Sequence, residues 1–286
     1  EFSLDETLRG VSANVPALRD GRGRLLLEAG PGTNRYTGAT VRLTLDRFVQ
    51  LVAERALKSA VENTHAKAGT VVVLDPQNGQ VRAMANFPGY DPNAPGDLRG
   101  RNRAVTDAYE PGSVMKVFSV AAALDAKVVA PHTRIDVEQG RLRIGKTIIR
   151  DVHAPRPVLS VSEIVKYSST VGAVKIARLL GKERLYEALV RFGFAQKTQI
   201  DLPGERSGSI RPPSAWGPTD LATASYGYGM TATPLQIAAA TAAIANGGLL
   251  YRPSLVERIT SASGETLAEN RARAKRVVGP DSARAM

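Results

Sequence analysis

The most informative pair of side chains in the sequence is Ser113 and Lys116, which lie three residues apart at the start of a predicted helix. Pro111 and Gly112 indicate a turn, and the apolar run after Lys116 predicts a buried helix. Residues three apart share one face of a helix, so the lysine amine can reach the serine hydroxyl. Two interpretations are open at this point: a helix-capping serine followed by a solvated lysine, or the nucleophile and base of an acyl-transfer enzyme.

The second interpretation rests on what each group needs for catalysis. A serine alcohol is a weak nucleophile at neutral pH unless a base lies beside it. A desolvated lysine is partly neutral and is able to act as that base. The amino end of the helix adds backbone N–H groups and a positive dipole, which stabilise a developing oxyanion. Because serine and lysine are both common, about one accidental Ser-x-x-Lys is expected in a chain of this length, and the context must decide.

The composition excludes several other kinds of chemistry. The 286 residues contain no cysteine, which rules out disulfides, thiolate metal sites and a cysteine nucleophile. The three histidines, at positions 65, 132 and 153, are far apart, so a histidine-rich metal site is not expected. A Ser-His-Asp triad is disfavoured because no Gly-x-Ser-x-Gly elbow accompanies any serine. We therefore predict that the chain uses neither a metal nor another cofactor.

The charge and the chain ends give weaker signals. The net charge is +11, from 38 basic and 27 acidic residues. The basic residues are scattered and are not interleaved with aromatic ones, which favours a solvated surface over a nucleic-acid interface. No run of 18 or more apolar residues predicts a membrane span, and the start at Glu1 does not resemble a signal peptide. The expectation is that this chain belongs to something longer.

Local patterns predict an α+β protein. Asp46 is a candidate cap for a helix whose apolar residues recur at helical spacing as far as Ala60. Strands at 70–74 and 80–85 are joined by a turn at 75–79 that contains Asn-Gly, and a long loop at 87–102 then leads to Ser113. Further helices are predicted from near Val161 and over 171–180, 182–192 and 235–245, and further strands near 249–259 and 265–268.

The order of these segments resembles class B penicillin-binding proteins, the peptidoglycan transpeptidases, and their cell-division branch in particular. The run at 102–105 ahead of 110–116 carries the resemblance first. Four further segments agree with it: 43–46 with the helix that follows, the hairpin with 84–93, 167–172, and 226–236. Together they cover about residues 40–286, and jointly they are far more specific than Ser-x-x-Lys alone.

The resemblance implies a fold and a mechanism. The fold is the penicillin-binding serine-transpeptidase fold, an antiparallel sheet flanked by helices plus an all-helical lobe. Ser113 would attack the carbonyl of the penultimate D-alanine of a stem peptide while Lys116 takes its proton. Ser168 would hydrogen-bond the lysine and relay a proton to the leaving group. The amine of a second peptide would resolve the acyl-enzyme, and β-lactams are expected to form stable esters with Ser113.

Two features depart from the family pattern. Thr170 stands where the family usually has asparagine, whose carbonyl and amide hold the lysine and the substrate together. One threonine hydroxyl replaces one of those bonds, so Thr170 is assigned to substrate binding. The family's Lys-Thr-Gly motif, which follows the segment matching 226–236, is absent from the sequence. The resemblance therefore implies that the C-terminal strands of the sheet are missing from this chain.

The resemblance also implies an organisation and a setting. Residues 1–43 would be the end of an N-terminal pedestal module, and 44–286 a transpeptidase domain incomplete at its C-terminus. The expected partners are peptidoglycan stem peptides, β-lactam antibiotics, and division or elongation proteins including a membrane glycosyltransferase, without nucleic acid. The expected location is the periplasmic face of the inner membrane, with an anchoring helix outside this sequence.

Two alternative functions remain beside the transpeptidase. A β-lactamase or a β-lactam sensor also uses Ser-x-x-Lys. A non-catalytic divisome scaffold of the same fold would suit both Thr170 and the absent third motif.

Overall fold

The structure is a computed structural model that describes residues 2–10, 18–26, 37–89, 101–152 and 156–286. Its helices are α1 (Asp5–Leu8), α2 (Arg47–Thr64), α3 (Arg103–Thr106), α4 (Met115–Asp125), α5 (Val161–Lys166), α6 (Thr170–Leu180), α7 (Lys182–Arg191), α8 (Asp220–Ser225), α9 (Pro234–Ala245) and α10 (Pro280–Arg284). Its strands are β1 (Leu18–Arg19), β2 (Leu25–Leu26), β3 (Thr40–Leu43), β4 (Gly69–Leu74), β5 (Val81–Phe87), β6 (Arg134–Asp136), β7 (Arg141–Ile144), β8 (Thr147–Arg150), β9 (Val158–Ser160), β10 (Ser209–Ile210), β11 (Met230–Thr231), β12 (Leu249–Tyr251), β13 (Val256–Thr260), β14 (Thr266–Glu269) and β15 (Ala274–Arg276). His153 and positions 90–100 of the loop predicted at 87–102 lie outside the described residues.

The predicted hairpin forms the antiparallel pair β4–β5, with helices on both faces. Side chains alternate between the two faces of a strand, so its two sides have different neighbours. On one face, Ala83 and Ala85 are buried against Leu57 of α2. On the other face, Val72 packs in a separate cluster around Leu235 of α9. This arrangement confirms the prediction of an antiparallel sheet flanked by helices.

A mainly helical lobe is built around α4, which is buried on nearly all sides, and strands β6 to β9 contribute apolar side chains to the same core. Helices α6, α7, α8 and α10 pack against it. Phe118 of α4 is completely buried, and its ring centroid lies 5.2 Å from that of Phe192 and 5.1 Å from that of Phe194. Such aromatic contacts add to the large free energy of burying the rings themselves. The helix that carries Lys116 is therefore held rigidly by its surroundings.

A small sheet joins the beginning of the sequence to its end. Strand β3 pairs antiparallel with β13, which pairs in turn with β14. Directly after β3, the buried Thr44 hydroxyl lies 2.8 Å from the carbonyl of Val81 and 3.0 Å from that of Ser254. The predicted boundary between modules at 43–44 falls at the end of β3, inside this set of contacts, and stays a prediction.

In the last part of the chain, the strand predicted near 265–268 is found as β14, but the prediction near 249–259 was wrong. The single strand expected near 249–259 is two strands, β12 and β13, with Pro253 between them. Proline has no backbone N–H to donate and interrupts a ladder for that reason. The sequence analysis predicted no strand at β15, which pairs antiparallel with β12. Its three residues, Ala-Lys-Arg, carry no apolar alternation, so the pairing is set by the partner strand.

The turn ahead of α4 is fixed to the segment that follows α8. Gly112 N–H donates to the carbonyl of Gly227 over 3.0 Å, and Gly229 N–H donates to Glu110 Oε1 over 2.8 Å. Tyr109 and Ala232 exchange both backbone hydrogen bonds, at 3.1 and 2.9 Å. A Cβ atom on Gly227, whose φ is +87°, would lie 2.1 Å from the carbonyl oxygen of Gly112. The close approach therefore requires glycine at position 227.

Replacing Gly227 by alanine tests this contact. Alanine at positive φ costs about 1–2 kcal/mol, and forcing the two backbones apart adds about 1–3 kcal/mol. We expect Gly227→Ala to lower the free energy of unfolding by about 2–5 kcal/mol in urea denaturation of the protein.

Gly247→Ala is the matched control, because Gly247 has a similar φ of +84° with nothing within 4 Å of its Cβ position. It is expected to lose only the conformational part, about 1–2 kcal/mol. Equal losses in the two variants would show that the contact between Gly112 and Gly227 contributes nothing of its own.

Candidate active site

Ser113 lies on an exposed turn immediately before α4. The turn is a short 3₁₀ helix, Gly112–Val114, and α4 continues directly from it. Gly112 has a φ of +64°, a left-handed conformation that glycine adopts without strain. The Ser113 hydroxyl is exposed and makes no hydrogen bond to any residue that the structure describes. An approaching reactant therefore meets this oxygen without first displacing a protein partner.

Lys116 lies one turn further on and is buried, with only 3% of its surface exposed. Its Nζ donates to the Ser168 carbonyl over 2.5 Å, to Ser168 Oγ over 3.1 Å and to Thr170 Oγ1 over 3.0 Å. An ammonium group has three N–H donors, so these three oxygens can accept all of them. The structure thus brings together Lys116, Ser168 and Thr170. It records no hydrogen bond between Lys116 and Ser113, the fourth predicted site residue.

The surroundings of Lys116 shift its acid–base behaviour toward neutrality. Burial disfavours the charged amine and lowers the pKa of Lys116 from 10.5 to about 8, although the negative charge of Asp151 opposes this by raising it. Desolvation is the larger of the two effects. With a pKa about 8, roughly one amine in ten is neutral at pH 7 and carries a free lone pair. At the same pH, an ordinary exposed lysine has almost no neutral amine.

Ser168 reaches Lys116 because the chain takes a strained conformation between α5 and α6. Its φ is +55°, in the left-handed region that residues other than glycine rarely adopt. Strain of this kind costs about 1–3 kcal/mol and clusters at functional sites. The next residue, Ser169, caps α6 by accepting a hydrogen bond from Gly172 N–H over 2.9 Å. The turn directs both the carbonyl and the hydroxyl of Ser168 toward the same amine.

Asp151 is the site residue that the sequence analysis missed. One carboxylate oxygen accepts from the N–H groups of Thr170 and Val171, at 2.6 and 2.9 Å, and the other accepts from Ser169 Oγ at 2.7 Å. A carboxylate at the amino end of a helix also interacts favourably with the helix dipole. Asp151 therefore holds the first turn of α6, which presents Thr170 to Lys116.

Four aromatic residues of the segments around the candidate site form two separate pairs. Tyr228 is half-exposed, and its ring lies 3.9 Å from the position a Cβ on Gly112 would take. Tyr226 packs against it, with ring centroids 5.6 Å apart. Trp216 instead packs on Tyr186, with its indole N–H bonded to the carbonyl of Arg211. Of these four aromatic residues, Tyr228 borders the turn that carries Ser113.

Two kinds of feature are absent from the described part of the chain. Its acidic and histidine side chains form no group of three or more that could hold a metal ion. None of its helices has both the length and the apolar character to cross a membrane.

Comparisons with known proteins agree with one another. Residues 69–286 match the family described as the penicillin binding protein transpeptidase domain. The chain is 37% identical over 272 residues to a probable peptidoglycan D,D-transpeptidase, PenA, of Neisseria meningitidis, covering 93% of this chain and 46% of that protein. It is 34% identical to the peptidoglycan D,D-transpeptidase FtsI of Escherichia coli, covering 91% and 44%. The chain spans about half the length of these curated relatives.

A solved structure supports the same relationship. Penicillin binding protein 3 of Mycobacterium tuberculosis, complexed with ampicillin, superposes with a TM-score of 0.85 at 29% identity. The match covers 99% of this chain and 60% of that one.

The opposing effects of burial and of Asp151 on Lys116 lead to a testable shift. Asp151→Asn keeps an oxygen for the two backbone N–H groups and an amide that donates to Ser169, but removes the negative charge. Without that charge the ammonium is less stabilised, so the pKa of Lys116 falls further. We expect the ¹³C NMR titration of the Lys116 side chain to have its midpoint near pH 8 in the unmodified protein and at lower pH in the variant.

Asp125→Asn is the matched control, because Asp125 also accepts a backbone N–H, that of Gly279 at 2.7 Å, and lies at the far end of α4. Its replacement is expected to leave the midpoint near 8. An unchanged midpoint in Asp151→Asn, or a shift to higher pH, would contradict the electrostatic role given to Asp151.

Proposed function

Since the chain belongs to the family of penicillin-binding protein transpeptidase domains, we propose that it cross-links peptidoglycan stem peptides through an acyl-enzyme formed on Ser113. One observation carries this proposal. A buried lysine with a pKa of about 8 lies one helical turn after an exposed serine on the same helical run. This pairing supplies a base and a nucleophile without histidine, and the two predicted helper residues both contact the base.

The first half of the proposed reaction forms the ester. Lys116 in its neutral form accepts the proton of the Ser113 hydroxyl, and the oxygen attacks the carbonyl of the penultimate D-alanine. The tetrahedral oxyanion is stabilised by the backbone N–H of Ser113 at the start of α4. When it collapses, the peptide bond breaks, and the terminal D-alanine leaves after its amine receives a proton relayed from Lys116 through the Ser168 hydroxyl.

The second half reverses these proton transfers. The amine of another stem peptide attacks the ester carbonyl and gives up a proton toward Lys116. The new peptide bond forms, the ester bond breaks, and the Ser113 hydroxyl is restored. A β-lactam acylates the same oxygen, but its leaving group stays attached through the opened ring, so the ester persists. We place Thr170 beside the substrate because its hydroxyl already contacts the base.

The proposal extends to the organisation and setting of the protein. Residues 44–286 form the transpeptidase domain and 1–43 the end of a pedestal module. The domain works outside the cytoplasm, at the periplasmic face of the inner membrane, because its polymer substrate lies there. Its partners there are division or elongation proteins, including a membrane glycosyltransferase that supplies glycan strands.

Covalent labelling tests the nucleophile. Fluorescent penicillin is expected to label the full-length protein at one site, and Ser113→Ala is expected to abolish the label because no other oxygen occupies that position. Ser162→Ala is the control, since Ser162 is also exposed and, among the described residues, its hydroxyl bonds only to the carbonyl of Pro131. It should label normally. A label that survives in Ser113→Ala, or no label in the folded full-length protein, would refute the acyl-enzyme.

The role of Thr170 is tested by its hydroxyl alone. Thr170→Val keeps the shape but leaves a buried N–H of Lys116 without its acceptor, a loss of about 1–3 kcal/mol. We expect the second-order rate constant of acylation by penicillin to fall by roughly tenfold or more, whereas Thr170→Asn should retain or exceed the original rate.

Thr241→Val is the matched control. Thr241 is an exposed helix residue, and among the described residues its hydroxyl bonds only to the carbonyl of Ile237. That variant should acylate at the original rate. If Thr170→Val were acylated as fast as the unmodified protein, the role proposed for the Thr170 hydroxyl would be contradicted.

A further inference from the structure

A cavity that does not include Ser113 lies between the segment at 193–199, α9 and the β12–β15 pair. Its volume is about 310 Å³, at the small end of the range of about 300–1,000 Å³ that is usual for ligand pockets. Phe192, Ala239 and Leu250 supply its apolar lining. None of the residues that line it is Ser113, Lys116, Ser168 or Thr170. The cavity is therefore separate from the candidate active site.

Four cationic side chains surround this cavity: Lys197, Arg252, Arg273 and Lys275. Within the described ranges only Arg252 forms an ion pair, with Asp201 at 3.3 Å. Two other carboxylates nearby are already engaged: Glu205 accepts from backbone and hydroxyl donors, and Glu269, which lines a neighbouring pocket with Arg252 and Arg273, pairs with Arg258 at 2.8 Å. Like charges that line one cavity repel one another, and a bound anion relieves that repulsion. The cavity lining therefore carries positive charge that the described carboxylates compensate only at Arg252.

The wall at 193–199 is fixed in place by two buried side chains. The amide nitrogen of Gln236 donates to the carbonyls of Gly193 and Gln196, at 3.2 and 2.7 Å. Glu205 accepts from both the N–H and the hydroxyl of Thr198 at 2.6 Å, and from the next backbone N–H at 3.0 Å. A wall that is already ordered loses little entropy when a ligand binds. The cavity is thus pre-formed.

We propose that this cavity binds a small organic phosphate that carries an apolar substituent. Three cations without carboxylate partners match a phosphate group, which carries more than one negative charge and several acceptor oxygens. The apolar lining takes the substituent, which neither a free phosphate nor a neutral alcohol matches as a whole. The site is additional to the transpeptidase function proposed above and does not depend on it.

Calorimetric titration with hexyl phosphate tests the proposal on the full-length protein. We expect saturable binding with one site per chain, at an affinity roughly tenfold or more above that of inorganic phosphate or 1-hexanol. Arg273→Ala combined with Lys275→Ala should weaken hexyl phosphate by roughly tenfold or more. The matched control, Arg143→Ala with Lys146→Ala, removes two exposed cations of the β7–β8 hairpin that form no ion pair with any described residue, and it should bind as the unmodified protein does.

Three outcomes would overturn the site: no saturable binding of hexyl phosphate, equal binding in both double variants, or inorganic phosphate binding as tightly as hexyl phosphate. All variants should still be labelled by fluorescent penicillin at Ser113, which separates failure of this site from failure of the proposed function.

Sedimentation with phosphatidylglycerol vesicles, compared with phosphatidylcholine vesicles, identifies the source of the phosphate. Cosedimentation lost in the Arg273 and Lys275 double variant supports a lipid, and binding of hexyl phosphate without cosedimentation supports a soluble molecule.

Discussion

A single amine held away from water organises the candidate active site. Lys116 is almost completely buried, and among the described residues the oxygens that accept from its Nζ belong to Ser168, in the connection between α5 and α6, and to Thr170, the first residue of α6. Burying an ammonium group is costly unless its N–H donors find acceptors, so the backbone at 168–170 must keep its position relative to α4. The same burial keeps part of the amine neutral. Structural stability and the capacity to accept a proton therefore depend on one set of contacts.

The position of Ser113 relative to that amine depends on backbone contacts more than on side chains. The core around Phe118 holds α4, and the segment at 227–232 holds the preceding turn through paired backbone groups. Gly112 and Gly227 approach so closely that neither the segment at 227–232 nor the turn that carries Ser113 can shift without the other. Side chains around the turn, such as Val114 and Tyr228, remain half-exposed. The Ser113 hydroxyl therefore lies on a rigidly held turn that is bordered by accessible apolar groups.

Local signals explain which parts of the fold the sequence could predict. The cap at Asp46, the Asn-Gly turn between β4 and β5, and Pro234 at the start of α9 each act within a few residues, and all three elements were predicted correctly. The cap of α5 is equally local: Ser160 accepts from Glu163 N–H, and Glu163 completes a capping box. Strand β15 was missed because its pairing is decided by a distant partner.

The same distinction applies to the candidate site. The spacing of Ser113 and Lys116 is local, and the resemblance to a family supplied Ser168 and Thr170. Asp151 was not found because its hydrogen bonds span 18 to 20 residues and belong to no short motif. The one available signal was the predicted start of α6, whose first N–H groups need an acceptor that the adjacent sequence supplies only in part. Backbone strain at Ser168 had no sequence signal at all, since serine does not mark the left-handed region.

That strained serine has an evolutionary consequence. Glycine would relax the backbone at position 168 but would delete the hydroxyl, whereas alanine or threonine would keep the conformational cost and lose or displace the oxygen. Asparagine and aspartate tolerate left-handed backbone, but they place a larger group against the amine. Position 168 is therefore constrained for two independent reasons, its left-handed backbone and the hydroxyl that contacts Lys116, and serine meets the second requirement at the cost of the first.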